Sequence, residues 1–184
     1  MVDTDNRDAP TARSPWKRAL SAILVAVVAS CAAYFVVAVR RARADARRVI
    51  CVHNLKLLSM CLRRYAEAHD GAMPDSWAVI VADPAMGFTD LEYLNEVLLC
   101  PEFRRRAKRK DGEPYRITGP ENVDALSTYV LIPGIRLTDD PHTVVAYERG
   151  DHHGGRGHSV LHLEGSAWWI PVEEQPIPEW SGPP

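Results

Sequence analysis

The feature that most constrains this chain is a run of 21 residues without a charge, from Ala19 to Val39 (ALSAILVAVVASCAAYFVVAV). At about 1.5 Å per residue, a helix of that length covers roughly 30 Å, the thickness of a bilayer's hydrocarbon core. A helix also satisfies its own backbone groups, which lipid demands. Trp16, Lys17 and Arg18 precede the run, and Arg40, Arg41 and Arg43 follow it. Aromatic and basic flanks of this kind anchor a span at the interface. A domain this small has too little material to surround such a helix on every side, so a buried core helix is the poorer explanation. The run also exceeds the apolar stretch of about 7–15 residues found in signal peptides. Val28-Ala29-Ser30-Cys31 has the form of a lipoprotein cleavage box, but Ala32 to Val39 stay apolar beyond it. The expectation is a single-pass protein that meets the lipid bilayer through residues 19–39.

Residues 1–18 are polar with prolines at 10 and 15, and read as a disordered tail. Beyond the span, Arg40 to Ala68 contains neither Pro nor Gly. Cys51, Leu55, Leu58, Leu62 and Tyr65 recur there at steps of four and three, which makes one apolar stripe on a helix. One helix of nearly 50 residues is therefore expected, stopping near His69-Asp70-Gly71 with Pro74 just after. Residues 72–88 read as a turn and a short apolar stretch whose Trp77, Val79 and Val81 cover the stripe. Thr89 with Glu92 three places on has capping-box spacing, and predicts a short helix over 90–99, ended by Cys100-Pro101. Four short strands follow: Ser127–Ile132, Thr143–Glu148, Ser159–Leu163 and Ser166–Ile170, the last two joined by a two-residue turn at Glu164-Gly165. The expected fold class is α+β. A long N-terminal helix, transmembrane and then amphipathic, packs on a small antiparallel sheet. Residues 40–171 form the head and 172–184 a Pro-rich tail.

Few chemical activities have support. The formal net charge of −2 gives no global case for nucleic acid as a partner. The basic run Arg104–Lys110 could meet acidic headgroups or a polyanion, but such runs are most often solvated loops. No nucleophile elbow, phosphate loop or dinucleotide fingerprint is present. Asp151, His152, His153, His158 and His162 raise the question of a metal, for which His153, His158 and His162 are the candidates. His158 and His162 would face one side of a strand. However, no His-Glu-x-x-His or Cys-His pairing supports a site at these histidines, so the expectation is a polar hairpin loop with no metal and no cofactor. The four cysteines include no C-x-x-C pair. Ala22, Ala26, Ala29 and Ala33 put small residues at steps of four and three within the span, which would allow close helix–helix packing.

Several segments, in their order along the chain, resemble bacterial pseudopilin-like proteins of the group carrying the DUF1559-type domain, abundant in Planctomycetes. They are Ala46-Arg47-Arg48 with Cys51 and Asn54-Leu55-Lys56; then Tyr65, His69, Gly71 and Pro74; then Leu99-Cys100-Pro101; then Ala146-Tyr147-Glu148, His153-Gly154-Gly155 and Val160-Leu161. The chain departs from that family at Pro15–Leu20, where the prepilin motif Gly-Phe-Thr-Leu-x-Glu would stand, and at Ser166, where the family has His. The resemblance implies a pilin-like lollipop: a type II secretion-like, inner-membrane protein whose C-terminal head lies outside the cytoplasm. The basic residues on both sides of the span would by themselves favour the opposite orientation slightly.

The resemblance further implies that Cys51 and Cys100 correspond to the family's two recurrent cysteines and form a disulfide, as an exported head permits. Such a bridge would close about 49 residues and contribute roughly 4 kcal/mol in the chain-entropy model. Cys61 is a competing partner, and all of these cysteines could equally be small buried hydrophobes. The functional expectation is a structural or assembly protein of the cell envelope, not an enzyme, with other pilin-like subunits as partners. The alternative is a monomeric anchored binding module that uses its basic or His-rich loop.

Overall fold

The structure is a computed structural model that describes residues 15–86, 90–107, 112, 114–150 and 152–174. Thr89, Lys108–Lys110, Asp151 and the two chain ends lie outside the described residues. The chain divides into two compact units, Met1–Arg43 and Ala44–Pro184.

Helix α1 runs from Pro15 to Ala68 without a break. It begins three residues before the end of the expected polar tail, with Pro15 at the first helical position, where its missing N–H costs nothing. Its N-terminal part is long and apolar enough to cross a membrane: an 18-residue window has a mean hydropathy of 2.6, and none of it is buried. Two hydroxyls in this part are satisfied by the helix itself. Ser21 donates to the Lys17 carbonyl (2.9 Å) and Ser30 to the Ala26 carbonyl (2.8 Å).

In the second unit the expected stripe is the core. Cys51, Leu55, Leu58 and Leu62 are buried, but the line ends on Ala66 and leaves Tyr65 half-exposed. Tyr65 instead stacks on His69 at 3.9 Å between ring centroids. The helix closes as expected: Gly71 takes a positive φ of 79° and its N–H reaches back to the Ala66 carbonyl (2.8 Å).

Three short helices were not anticipated. Helix α2 (Trp77–Ala82) stands where a simple apolar stretch was expected. Ser76 caps it, and the Asp124 carboxylate accepts from the N–H groups of Trp77 and Ala78 (2.7 and 3.2 Å). A carboxylate at a helix N-terminus satisfies orphan donors and complements the dipole. Trp77 and Ile80 are consequently the buried residues of α2, and Val79 is exposed. Helix α3 (Leu91–Leu98) stands where a helix was expected, but its cap is Asp90, whose carboxylate accepts from the Glu92 and Tyr93 N–H groups, and not the expected Thr89. Helix α4 (Pro101–Arg106) converts part of the basic run into helix, and α5 (Pro120–Leu126) follows. Both start on a proline at the first position.

Strands β1 (Tyr129–Leu131), β2 (Val144–Glu148), β3 (Gly157–His162) and β4 (Ala167–Pro171) form one antiparallel meander in sequence order. Leu131, Ala146, Leu161 and Ala167 pair in one row across all four strands. All four are buried, and together with the α1 leucines they belong to one core. Alternating large and small side chains in that row lets the leucines of the helix and the sheet interdigitate. The neighbouring row pairs Tyr129 with Glu148, and Ser159 with Trp169. The β3–β4 turn spans four residues, 163–166, rather than the two expected. The Gly165 N–H donates to the His162 carbonyl, and Gly165 holds a φ of 93°.

Candidate functional site

Four side chains converge inside the head: Cys51 of α1, Cys100 between α3 and α4, Glu148 at the end of β2, and His153 in the β2–β3 loop. One donor atom from each lies within 4.8 Å of all the others, and all four residues are buried. The two sulfurs are 3.2 Å apart. His153 Nε2 is 3.4 Å from each sulfur and 3.0 Å from Glu148 Oε1.

Each residue is delivered by a local device. Cys51 begins the apolar stripe, and the Tyr129 hydroxyl donates to its carbonyl (3.5 Å). Cys100 is fixed by its own backbone, whose N–H donates to Thr128 Oγ1 (2.7 Å) as Pro101 starts α4. Glu148 is held through its other oxygen, which accepts from the Ser159 hydroxyl (3.0 Å). His153 sits in a loop where Gly150 and Gly154 take positive φ values of 73° and 72°, conformations that side chains rarely adopt. Arg156 Nε donates to the His153 carbonyl (3.3 Å). The His153 ring also meets Trp169 edge-on at 4.9 Å, and the Arg48 guanidinium lies 4.9 Å over that indole.

The electrostatics are tightly coupled. The hydrogen bond from Cys51, helped by His153 and opposed by burial, brings the Cys100 thiol down to about 7. The same bond and burial push the Cys51 thiol up. Burial works against the charge on His153, but its contacts with Cys100 and Glu148 raise it to about 9. Burial also opposes ionisation of Glu148, yet His153 holds the carboxyl below its ordinary value. Without an ion the imidazole is thus stabilised in its charged form between two acidic partners; a metal ligand would have to be the neutral ring, so cation binding here would displace that proton.

The structure brings Cys51 and Cys100 together, as the resemblance implied. Both are free cysteines, and their separation is well beyond the roughly 2.05 Å of a disulfide. Cys61 is half-buried elsewhere, its thiol raised by burial. Of the three histidine candidates, only His153 enters the cluster. His158 is buried on β3, and its Nδ1 has no hydrogen-bond partner among the described residues. His162 Nδ1 contacts Ser166 Oγ at 3.3 Å. Cys51 and His153 are 102 positions apart, so no local motif announces their pairing. In the sequence Glu148 is the last residue of a strand and part of the Ala146-Tyr147-Glu148 segment of the resemblance, with no ligand role; an acid ending an otherwise apolar strand is the signal that points to one. In the basic run, Arg105 pairs with the buried Glu102, which Arg47 also meets from α1.

No family model, curated protein or solved structure matches the chain.

Proposed function

We propose that this chain is a pseudopilin-like structural protein of the bacterial cell envelope, anchored in the inner membrane by residues 19–39 with its head outside the cytoplasm. The observation that carries the reading is α1. Its apolar part is wholly exposed, and the same unbroken helix supplies the central stripe of a folded head. An exposed apolar helical surface needs lipid or another helix to cover it. Ala22, Ala26, Ala29 and Ala33 are exposed, so a neighbouring α1 can approach closely along them. Other pilin-like subunits are the partners this surface fits. Catalysis is not part of the reading, which takes the buried cluster of Cys51, Cys100, Glu148 and His153 as part of the head's interior.

Two measurements test it. Cysteines introduced at Ala22, Ala26, Ala29 and Ala33 should crosslink into ladders in native membranes, and a lone monomer would overturn assembly. A C-terminal reporter fusion should be active only outside the cytoplasm. Activity confined to the cytoplasm would remove the export claim and the pilin comparison with it.

A further inference from the structure

We propose that Cys51, Cys100, His153 and Glu148 form a four-coordinate site for a zinc-class divalent ion, which ties α1 to the α3–α4 junction and to the sheet. The site does not depend on the membrane reading, because its donors all belong to the head.

The distances fit. With metal–sulfur bonds of about 2.3 Å and metal–nitrogen or metal–oxygen bonds of about 2.0–2.2 Å, a tetrahedron separates two sulfurs by about 3.8 Å, sulfur from nitrogen by about 3.6 Å, and nitrogen from oxygen by about 3.4 Å. The observed separations are 3.2, 3.4 and 3.0 Å. Opening these by about 0.2–0.6 Å, with the sulfur–oxygen pairs already within 4.8 Å of each other, makes room for the ion.

Hydrogen bonding alone does not explain the cluster. A ring nitrogen carries at most one proton and directs it at one partner. Nε2 nonetheless faces two sulfurs and a carboxylate oxygen. With the Nε2 proton directed at Glu148 and the Cys51 thiol proton at Cys100, the contacts of Nε2 with the two sulfurs are left without a directed hydrogen bond of their own. A central cation gives each of these donor atoms a bond.

Donor chemistry selects the ion. Two thiolates favour zinc, copper(I) or iron–sulfur clusters, and the accompanying imidazole and carboxylate narrow the choice to zinc and its borderline neighbours. Four protein donors leave no open position, so the role is structural. The outer partners are in place as well: Ser159 holds the far oxygen of Glu148, Thr128 fixes the Cys100 backbone, and Trp169 braces the His153 ring. The disulfide implied by the resemblance is the competing state, since oxidised sulfurs are no longer thiolate ligands.

The full-length chain, purified in detergent without reductant, should carry one zinc ion per chain by plasma mass spectrometry. Its Cys51 and Cys100 should resist alkylation until a chelator is added. After stripping, Co²⁺ added to the reduced chain should produce the sulfur-to-cobalt charge-transfer band and the visible bands of a tetrahedral thiolate site, and Zn²⁺ should erase them. The charge-transfer band should weaken in Cys51→Ser and in Cys100→Ser, and stay unchanged in Cys61→Ser. If a cysteine variant fails to fold, Glu148→Gln provides the second test: the visible bands shift and the thiolate band persists. A Cys51–Cys100 disulfide in the isolated chain overturns the proposal. So does a reduced wild-type chain that takes up no Co²⁺, or a spectrum indifferent to loss of either cysteine.

Discussion

The hydroxyl of Thr128 is a sensitive point in the head, because among the described residues it alone accepts from the Cys100 backbone N–H (2.7 Å). Both residues are buried, at 1% and 0% exposure. Thr128→Val keeps the shape and deletes the hydroxyl. The Leu98 carbonyl, which also accepts from that hydroxyl, keeps its bond from the Thr128 N–H (3.0 Å), so only the Cys100 donor is orphaned. An unsatisfied buried donor costs about 1–3 kcal/mol, so the expected loss is about 2 kcal/mol. Thr128→Ser retains the hydroxyl and removes one methyl, for which burial lost amounts to about 1 kcal/mol. For a head of this size each kcal/mol moves Tm by about 3–4 °C. Near-UV circular dichroism melts of the full chain in detergent should therefore show Val lower by about 7 °C and Ser by about 3 °C. Val is the variant that better preserves volume, so packing alone predicts the reverse order. A valine variant at least as stable as the serine variant would refute the hydrogen-bond argument.

Three other expectations can be checked by the same means. Asn95 donates to the Leu91 and Ile117 carbonyls and accepts from the Ile117 N–H; Asn95→Ala strands both polar groups of the buried Ile117 and should cost about 3 kcal/mol in urea unfolding. Leu62→Ala, at a site 2% exposed, should cost about 2–5 kcal/mol, whereas Met60→Ala two residues away, 67% exposed, should stay within about 0.5 kcal/mol. Burial holds His158 below its ordinary value of 6.5, against the opposing pull of Glu148. The unfolded chain therefore takes up that proton first as pH falls. The stability His158 supplies is complete above 6.5 and drains away as pH drops toward its folded value. The stability difference between wild type and His158→Gln should narrow as pH is lowered through that range, and a difference independent of pH would refute the assignment.

What was legible in the sequence was what repeats. The α1 stripe, the four strands and the apolar run are written in periods of 3.6, in alternation and in sheer length, and each reappears within a residue or two of its expected bounds. Helices α2 and α5 span six and seven residues, too few to display a period. The start of α2 is set by Asp124, 47 positions away from Trp77, a partner that no local window contains. The same holds at the site. Cys51 could be placed on the buried face of a helix from spacing alone. Its neighbours arrive from three other elements, and His153, though set apart by the His153-Gly154-Gly155 segment of the resemblance, carries no local spacing that separates it as a ligand from His158 and His162.

Because α1 is synthesised first and β4 last, the order of synthesis bears on how the head is made. Cys51, Leu55, Leu58 and Leu62 leave the ribosome long before Leu161 and Ala167, the sheet residues of the same core. During that interval the stripe is an amphipathic helix with nothing to rest against, attached to an apolar segment already seeking lipid. A nascent chain of this design needs a temporary cover for one helix face, and a membrane surface or a holding chaperone can supply it until the final hairpin closes.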